Sequence, residues 1–395
     1  MKHFLSAIFL LFSLSANAVS TVIPDMKFRR LDTRDGLSNS QINYLFQDSK
    51  GIIWMGTSYG LNRYDGYRFR TFYSDPNDTT TLRNNYVDLI WEDHKGRLWM
   101  RQGMNFSIFD PVTEHVNRNP STELAKMGIK GGVDRFFIDS EKRFWVKTYD
   151  EGMYCYNPKT EKLTLIKYGY GDNEIPKEFW LSSFGDCGDK VLIISSNGVI
   201  MALDGDKGKV VWKDSFVKDN GGEPDQAYNI YMDGYENIWV ISTHLFVYDQ
   251  KAKRWHSSVN SFLSSLGIQS LPDPLQIWDV CMDRRGWYWI VTDHEGLFVI
   301  DPKSKEVKQF LNNKFDTTSL SENTAKHLLL DKNGSMWIST YRNGVNQYIE
   351  KLVGFKTLEL GDINTTTEDS QGYYWLGTDN RGIIKYNPQT GDSEI

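Results

Sequence analysis

The sequence predicts an all-β protein, a β-propeller built from four-stranded antiparallel blades. Two observations predict this fold: a short motif that recurs eight times, and a spacing in the mid-forties, which is the repeat length of a propeller blade. Each motif is an apolar run, an Asp, usually a Gly three residues later, and a Trp three residues after that. The copies lie at Asp48–Trp54, Asp93–Trp99, Asp139–Trp145, Asp233–Trp239, Asp283–Trp289, Asp331–Trp337 and Asp369–Trp375, with a degenerate copy near Asp189–Ile193.

The first repeat shows how one blade follows from its residues. Asp48 and Gly51 suit the first and fourth positions of a tight turn, and Asp65-Gly66 favours a hairpin. Apolar runs on either side of these turns predict four strands, here lettered a to d, over residues 42–47, 52–57, 61–64 and 67–73. Seven Trp at one position of the repeat predict packing between neighbouring blades rather than exposed stacking on sugars.

The sequence predicts that the ring has seven blades. A strand at Met26–Leu31 can complete the blade of the seventh repeat, which would leave no free sheet edge. A similar strand at Gly354–Leu358 precedes the eighth repeat, which follows the seventh at a shorter spacing. We therefore expect a seven-bladed propeller over residues 22–350 and the first repeat of an incomplete second propeller over 351–395. The alternative is a single eight-bladed ring.

The N-terminus predicts export. Residues 1–18 have the form of a signal peptide, with an apolar run at Phe4–Leu14 and an Ala16-Asn17-Ala18 cleavage site. The run is too short to cross a bilayer, which needs about 20 apolar residues, and no other segment of the sequence is long enough. The net charge of −6, with no Lys- or Arg-dense stretch, argues against a nucleic-acid partner.

The sequence indicates binding rather than catalysis. Motifs of α/β-hydrolases, zinc proteases, P-loop NTPases and dinucleotide enzymes do not occur in it, so no catalytic residue, metal site or cofactor is predicted. The a–b and c–d turns are short and repetitive, whereas the b–c and d–a loops at the other end of each blade are long and diverse. Variable loops on a rigid scaffold usually carry the binding residues.

Two groups of residues are predicted to reach a ligand at that end. Alternate residues of a strand face opposite sides, so the positions five residues before each repeat Asp should point toward the channel. They are Asn43, Asp88, Asp134, Tyr228, Trp278 and Lys326. The b–c loops add Tyr59, Tyr149, Asp150, His244, His294, Glu295, Tyr341 and Arg342. Aromatic planes beside charged groups suit stacking on a sugar ring and recognition of hydroxyl or acidic groups.

Three segments carry a resemblance to a known family. Asp35–Ile42, Phe46–Thr57 and Gly60–Gly66 resemble the opening of the two-component regulator propellers, which form the periplasmic sensor region of hybrid two-component system histidine kinases. The resemblance extends over residues 25–395. It departs at the fourth repeat, which lacks the Trp, and at Lys142 and Glu236, which replace the turn Gly.

The resemblance implies a periplasmic sensor that recognises an oligosaccharide or another small ligand and signals to a histidine kinase. In that family two propellers precede a membrane helix and the kinase, so we expect this chain to be a fragment, a truncated reading frame or a stand-alone relative. The full-length receptor could form a homodimer. No enzymatic activity is expected of this chain. The alternatives are a lyase or hydrolase related to streptogramin lyase-like propellers, and a protein–protein interaction scaffold.

Overall fold

The computed structural model describes residues 23–221, 226–349, 362–388 and 392–395. The chain divides into two compact units, residues 1–350 and residues 351–395. The predicted signal peptide at 1–18 and the predicted strand at Gly354–Leu358 lie outside the described residues. In the described part, no helix is long and apolar enough to cross a membrane.

The first unit contains seven four-stranded antiparallel sheets. The chain enters through β1 (Arg29–Leu31) and a short 3-10 helix (Thr33–Asp35). The first sheet is β2 (Ile42–Gln47), β3 (Ile53–Thr57), β4 (Gly60–Tyr64) and β5 (Phe69–Phe72). The second is β6 (Leu89–Glu92), β7 (Leu98–Gln102), β8 (Asn105–Phe109) and β9 (Val116–Asn117). After the helix α1 (Ser121–Lys126), the third is β10 (Val133–Ile138), β11 (Phe144–Thr148), β12 (Gly152–Asn157) and β13 (Lys162–Lys167).

The remaining sheets of this unit repeat the pattern. The fourth is β14 (Leu181–Cys187), β15 (Lys190–Ser195), β16 (Ile200–Asp204) and β17 (Lys209–Asp214), followed by α2 (Phe216–Asp219). The fifth is β18 (Asn229–Met232), β19 (Ile238–Ile241), β20 (Leu245–Asp249) and β21 (Arg254–His256), followed by α3 (Val259–Ser265). The sixth is β22 (Ile277–Met282), β23 (Tyr288–Thr292), β24 (Leu297–Asp301) and β25 (Glu306–Phe310). The seventh contains β26 (Ala325–Leu330), β27 (Met336–Thr340) and β28 (Val345–Tyr348).

The N-terminal strand closes the ring. β1 pairs antiparallel with β28 and so becomes the fourth strand of the seventh sheet. The seventh sheet in turn contacts the first, where Lys332 donates from its backbone amide to the Gln47 side chain and from Nζ to the Asp48 carbonyl, at 2.7 Å in both bonds. This contact closes the ring with seven blades. The predicted fold class is confirmed.

The second unit contains one four-stranded sheet. Its strands are β29 (Ile363–Glu368), β30 (Tyr374–Thr378), β31 (Ile383–Tyr386) and β32 (Ser393–Glu394). The sheet has the same strand order and the same Asp-to-Trp motif as the sheets of the ring.

The repeat Asp and the repeat Trp form a hydrogen-bonded pair, here called the Asp–Trp clasp. In the first sheet, Trp54 Nε1 donates to Asp48 Oδ2 at 2.8 Å, and the other carboxylate oxygen accepts from the Ile52 amide at 2.9 Å. Both bonds recur in all seven repeats that have the Trp, with indole bonds of 2.8–3.0 Å. One carboxylate therefore fixes the a–b turn and orients the indole that packs beneath it.

The clasped Trp side chains form the core between blades. Those of the ring are at most 2% exposed, as the sequence predicts for packing between neighbouring sheets. Trp54, for example, packs edge-on against Phe109 of the second sheet at 5.5 Å between ring centroids. In the second unit, Trp375 keeps its clasp but is 38% exposed, so the clasp itself does not require burial.

The fourth sheet shows what replaces a missing clasp. Its a and b strands are joined by a two-residue turn, Gly188-Asp189, with Cys187 paired to Lys190. The ladder places Cys187 where other repeats have the Asp and Leu192 where they have the Trp, so the degenerate copy begins earlier than Asp189. Arg143 of the third sheet donates to the carbonyls of Gly188 and Asp189 at 2.7 and 2.9 Å, which ties this shorter turn to its neighbour.

Disrupting a buried clasp should destabilise the ring. In Asp48→Ala the Trp54 indole N–H loses its partner while remaining buried, which costs about 1–3 kcal/mol. We expect a lower guanidinium unfolding midpoint with an unchanged slope. Asp65→Ala is the matched control, because Asp65 accepts backbone bonds in an exposed turn without orienting a Trp. Equal midpoint losses in the two variants would contradict this role of the clasp.

The two non-glycine turn residues adopt the backbone of the glycines that they replace. Lys142 and Glu236 have φ of 65° and 64°, in the left-handed region where Gly51 and Gly96 have 87° and 74°. The turn geometry is therefore kept at a cost in backbone strain, since side chains other than Gly are disfavoured there.

Restoring glycine should stabilise the protein at only one of these two sites. Glu236→Gly should raise the free energy of unfolding by ~0.5–1 kcal/mol, after the greater chain entropy of Gly is subtracted. Lys142→Gly should lower it instead, because Lys142 Nζ binds the buried carboxylate of Glu92 at 2.6 Å. Urea unfolding of both variants checks this opposition, and a shift of the same sign in the two would contradict it.

Candidate functional site

β-Bulges mark the channel end of the blades. Neighbouring first strands contact one another at most junctions between blades, so they form the innermost layer. Near the start of five of these strands, the pairing register with the second strand of the blade shifts by one residue. The extra residues are Asn43, Asp134, Ser182, Trp278 and Lys326. Four of the five are predicted site residues. Bulges redirect side chains and are common beside functional sites.

Tyr228 is almost fully buried because its strand has no bulge, unlike the exposed Trp278 at the same position of the repeat. The β18–β19 ladder runs without a slip from Asn229 opposite Ile241. Without the extra residue, Tyr228 takes the buried position that Ile42 has in the first sheet. It is 2% exposed and belongs to the core between the fourth and fifth sheets, while its neighbour Ala227 is exposed.

Three of the predicted polar residues are engaged with protein groups. Asp88 pairs with Arg101 at 2.7 Å and Asp134 pairs with Lys147 at 2.6 Å, each with the basic residue on the adjacent strand. Asn43 Nδ2 donates to the Val87 carbonyl of the second sheet at 3.2 Å. These side chains support the rim of the channel, and any ligand would have to compete for them.

Four predicted residues meet in one group, here called the Trp278 cluster. Lys326 Nζ lies 5.1 Å from the ring centroid of Trp278 and 4.4 Å from that of Tyr341. The Arg342 guanidinium lies 4.7 Å from the same Tyr341 ring. Trp278 is 39% exposed, so an aromatic face remains available next to two cations.

The other loop candidates remain dispersed. Tyr59 packs against Tyr73 at 5.7 Å, and Tyr149, Asp150 and His244 are exposed. His294 has a left-handed φ of 73° and contacts Asp293 at 3.0 Å, while Glu295 accepts from the Gln309 side chain. These residues share the loop side of the ring without forming a single group.

One hollow at this end is the channel cavity, of about 560 Å³. It is lined by the inner strands of the first five sheets, with Tyr44, Arg135, Ser183 and Asn229 in corresponding positions. A second hollow of about 650 Å³ shares Asn229 with it and reaches Trp278. The Trp278 cluster and the channel cavity thus adjoin.

Sequence reasoning identified Tyr228 in the lining of the channel cavity and missed five other residues of the inner strands. These stand four positions before the repeat Asp, or before Cys187 in the fourth sheet, one residue after the predicted set. In three of the five strands a bulge precedes them. In the sixth and seventh sheets the same position holds Asp279 and His327. The repeat numbering itself could have revealed this set: Tyr44, Leu89, Arg135, Asn229, Asp279 and His327.

Asp279 and His327 are the titratable residues at this position of the inner strands. His327 Nδ1 lies 3.9 Å from Asp279 Oδ2, and the same oxygen accepts from the Leu328 amide at 3.0 Å. Burial raises the pKa of Asp279 to about 7, and burial with Lys326 nearby lowers the pKa of His327 to about 4. Tyr44, which burial and Asp279 shift to a pKa of about 12, does not titrate in that range. Across the described parts of the chain, no group of His, Cys, Asp and Glu could hold a metal ion.

The fold and this site define a class of protein, a β-propeller with a ligand-sized hollow at its loop end. The profile of the two component regulator propeller family matches residues 36–59 and 319–342, which contain β2–β3 and β26–β27. Histidine kinase P4 of Formosa agariphila is 34% identical over 73 residues, which are 18% of this chain and 5% of that protein. The resemblance to two-component regulator propellers is therefore confirmed.

Solved structures show the same fold. The extracellular domains of two putative hybrid two component systems from B. thetaiotaomicron match with a TM-score of 0.60, at 21% and 19% identity. The matches cover 94% and 93% of this chain and 49% and 47% of those structures. The chain thus spans about half the length of these domains and resembles them in fold.

Asp279 and His327 should have opposite effects on stability between pH 4 and 7. The native state holds the Asp279 proton, so ionisation of Asp279 destabilises it as pH rises from 3.8 to about 7. The native state keeps His327 neutral, so stability falls as pH falls from 6.5 to about 4. Cys281, a further titratable group near Asp279, has a pKa raised by burial to about 12 and stays neutral throughout.

Single variants separate the two effects. In Asp279→Asn only His327 remains, so the urea midpoint should rise with pH from about 4 to 6.5 more steeply than in the wild type. In His327→Gln only Asp279 remains, so the midpoint should fall as pH rises toward 7. Parallel pH profiles for the wild type and both variants would show that neither pKa is shifted.

Proposed function

We propose that this chain is the ligand-binding propeller of a periplasmic sensor, that it recognises an oligosaccharide, and that it signals to a histidine kinase in a hybrid two-component system. The family match and the similar extracellular domains support the signalling context. The exported location rests on the predicted signal peptide at residues 1–18. The role of residues 351–395 as the first repeat of a second propeller belongs to the same proposal.

The Trp278 cluster carries the proposal for the ligand. An indole face that is 39% exposed lies beside Lys326, Tyr341 and Arg342, and the hollow next to it is lined by Ser242, Thr243, Gln276 and Asn229. Sugar rings stack on aromatic faces, and amides and hydroxyls of the protein bond their hydroxyl groups. Pockets of this size usually hold small molecules.

A hydrolase or lyase is the second candidate, and one observation favours it. Asp279 and His327 form a pair with strongly shifted pKa values, and Asp279 lies near Tyr44 of the channel cavity; catalytic acids and bases have similarly shifted pKa values. A sensor should bind glycans without converting them. A protein–protein scaffold should bind no glycan.

The binding test uses calorimetry with a panel of purified oligosaccharides, beside a product assay on the same panel. Trp278→Ala and Tyr341→Ala should each weaken binding by about tenfold, or ~1.4 kcal/mol, because each removes a stacking face. Tyr67→Ala is the matched control: Tyr67 is 92% exposed in a c–d turn at the opposite end of the blade and should leave the affinity unchanged.

The outcomes separate the candidates. Product formation that is lost in Asp279→Asn would replace the sensor with an enzyme. Unchanged affinity in Trp278→Ala and Tyr341→Ala would move the glycan site away from the cluster, and no binding by any panel member would contradict the oligosaccharide ligand.

A further inference from the structure

Arg135 is a channel cation without a carboxylate partner. Its chain neighbour Asp134 is held by Lys147 at 2.6 Å, and the other arginine of the channel cavity, Arg101, is held by Asp88 at 2.7 Å. Within residues 23–221 and 226–349, no Asp or Glu forms an ion pair with Arg135, although its side chain lines the channel cavity. Buried or half-buried guanidinium groups normally have an anionic partner.

The wall of the channel cavity favours an anion. Its lining contains two arginines and no Asp or Glu among the described residues, and Asp88 offsets only Arg101. This local excess of positive charge occurs in a protein whose net charge is −6. Narrow clefts of one sign concentrate the field and attract the opposite charge.

The rest of the wall suits a sugar rather than a bare ion. Phe137 and Phe184 lie parallel at 5.2 Å between centroids, with an angle of 9° between their planes, and both remain half-buried at the cavity. Ser183 and Asn229 add neutral hydrogen-bonding groups. An inorganic anion would leave most of the 560 Å³ unfilled, whereas one or two sugar rings would occupy it.

We infer that the channel cavity binds an acidic oligosaccharide, with its carboxylate or sulfate group on the Arg135 guanidinium and a sugar ring on the Phe137–Phe184 pair. This inference deepens the proposed function and rests on it. A uronic acid and a sulfated sugar present the same chemistry to Arg135, an anion that accepts two parallel N–H bonds. The neutral part of the glycan extends toward the Trp278 cluster, because the two hollows share Asn229.

The test is calorimetry on the full chain with three matched sets of short oligosaccharides: uronate-containing, sulfated and neutral. The wild type should prefer an acidic set, and added salt should weaken that binding alone. Arg135→Gln should reduce affinity for the acidic ligand by at least about tenfold and leave neutral sugars unaffected. Arg135→Lys keeps the charge but loses the planar fork, so its loss should be intermediate.

A matched variant controls for charge alone. Arg68→Gln makes the same change on a side chain that is 87% exposed in a c–d turn at the other end of the ring, and it should bind as the wild type does. Thermal unfolding of all variants verifies that they are folded. The uronate and sulfate sets show which anion is recognised.

Two results would overturn the inference and separate it from the proposed function. If the wild type binds only neutral sugars, or if Arg135→Gln binds acidic sugars as tightly as the wild type, the anion site is wrong and the glycan sensor stands. If no set binds, both are wrong.

Discussion

The structure depends on one carboxylate in every blade of the ring except the fourth, and each of these carboxylates accepts at least two hydrogen bonds. In the first blade, Oδ1 accepts the amide that closes the a–b turn and Oδ2 accepts the indole N–H of the Trp packed between blades. An exposed turn at one end of the blade is thereby coupled to its most buried side chain. Because a buried indole N–H without an acceptor is costly, the Asp and the Trp are retained or lost together. The fourth sheet has neither, and its shorter turn is held by Arg143 from the neighbouring blade instead.

At the channel, consecutive residues of one strand have different roles. The residues added by the bulges lie at the rim, where Asp134 is used in an ion pair and Trp278 and Lys326 stack, while the next residue of each strand faces inward. Ion pairing at the rim leaves Arg135 without a carboxylate partner. Asp279 has no charged basic partner, because His327 stays neutral. The inner strands are therefore polarised, with a cation in the third sheet and a titratable acid in the sixth.

The sequence sufficed to predict the fold because its signal is periodic and is repeated in every blade. Asp48 and Trp54 identify a blade, and the short strand ending at Leu31 predicts how the ring closes. The site was less predictable, since strand alternation assumes a regular ladder and a bulge breaks it at Asn43, Trp278 and Lys326. Alternation alone found the rim of the channel and only Tyr228 of the cavity lining, which is almost fully buried because its strand lacks the bulge. Ion pairing such as Asp88 with Arg101 joins residues of adjacent strands, which spacing by itself does not reveal.

The pairing of β1 with β28 also bears on how the molecule is made. Arg29 faces Gln347 in that ladder, so the first strand to leave the ribosome is completed by one of the last strands of the ring. Each intermediate blade can form locally from neighbouring residues, but the ring cannot close until nearly all of it has been synthesised. Closure over so long a loop is slow relative to local hairpin formation. During translation the incomplete ring therefore exposes apolar sheet faces at both ends. The strand β1 stays unpaired until β28 has been synthesised.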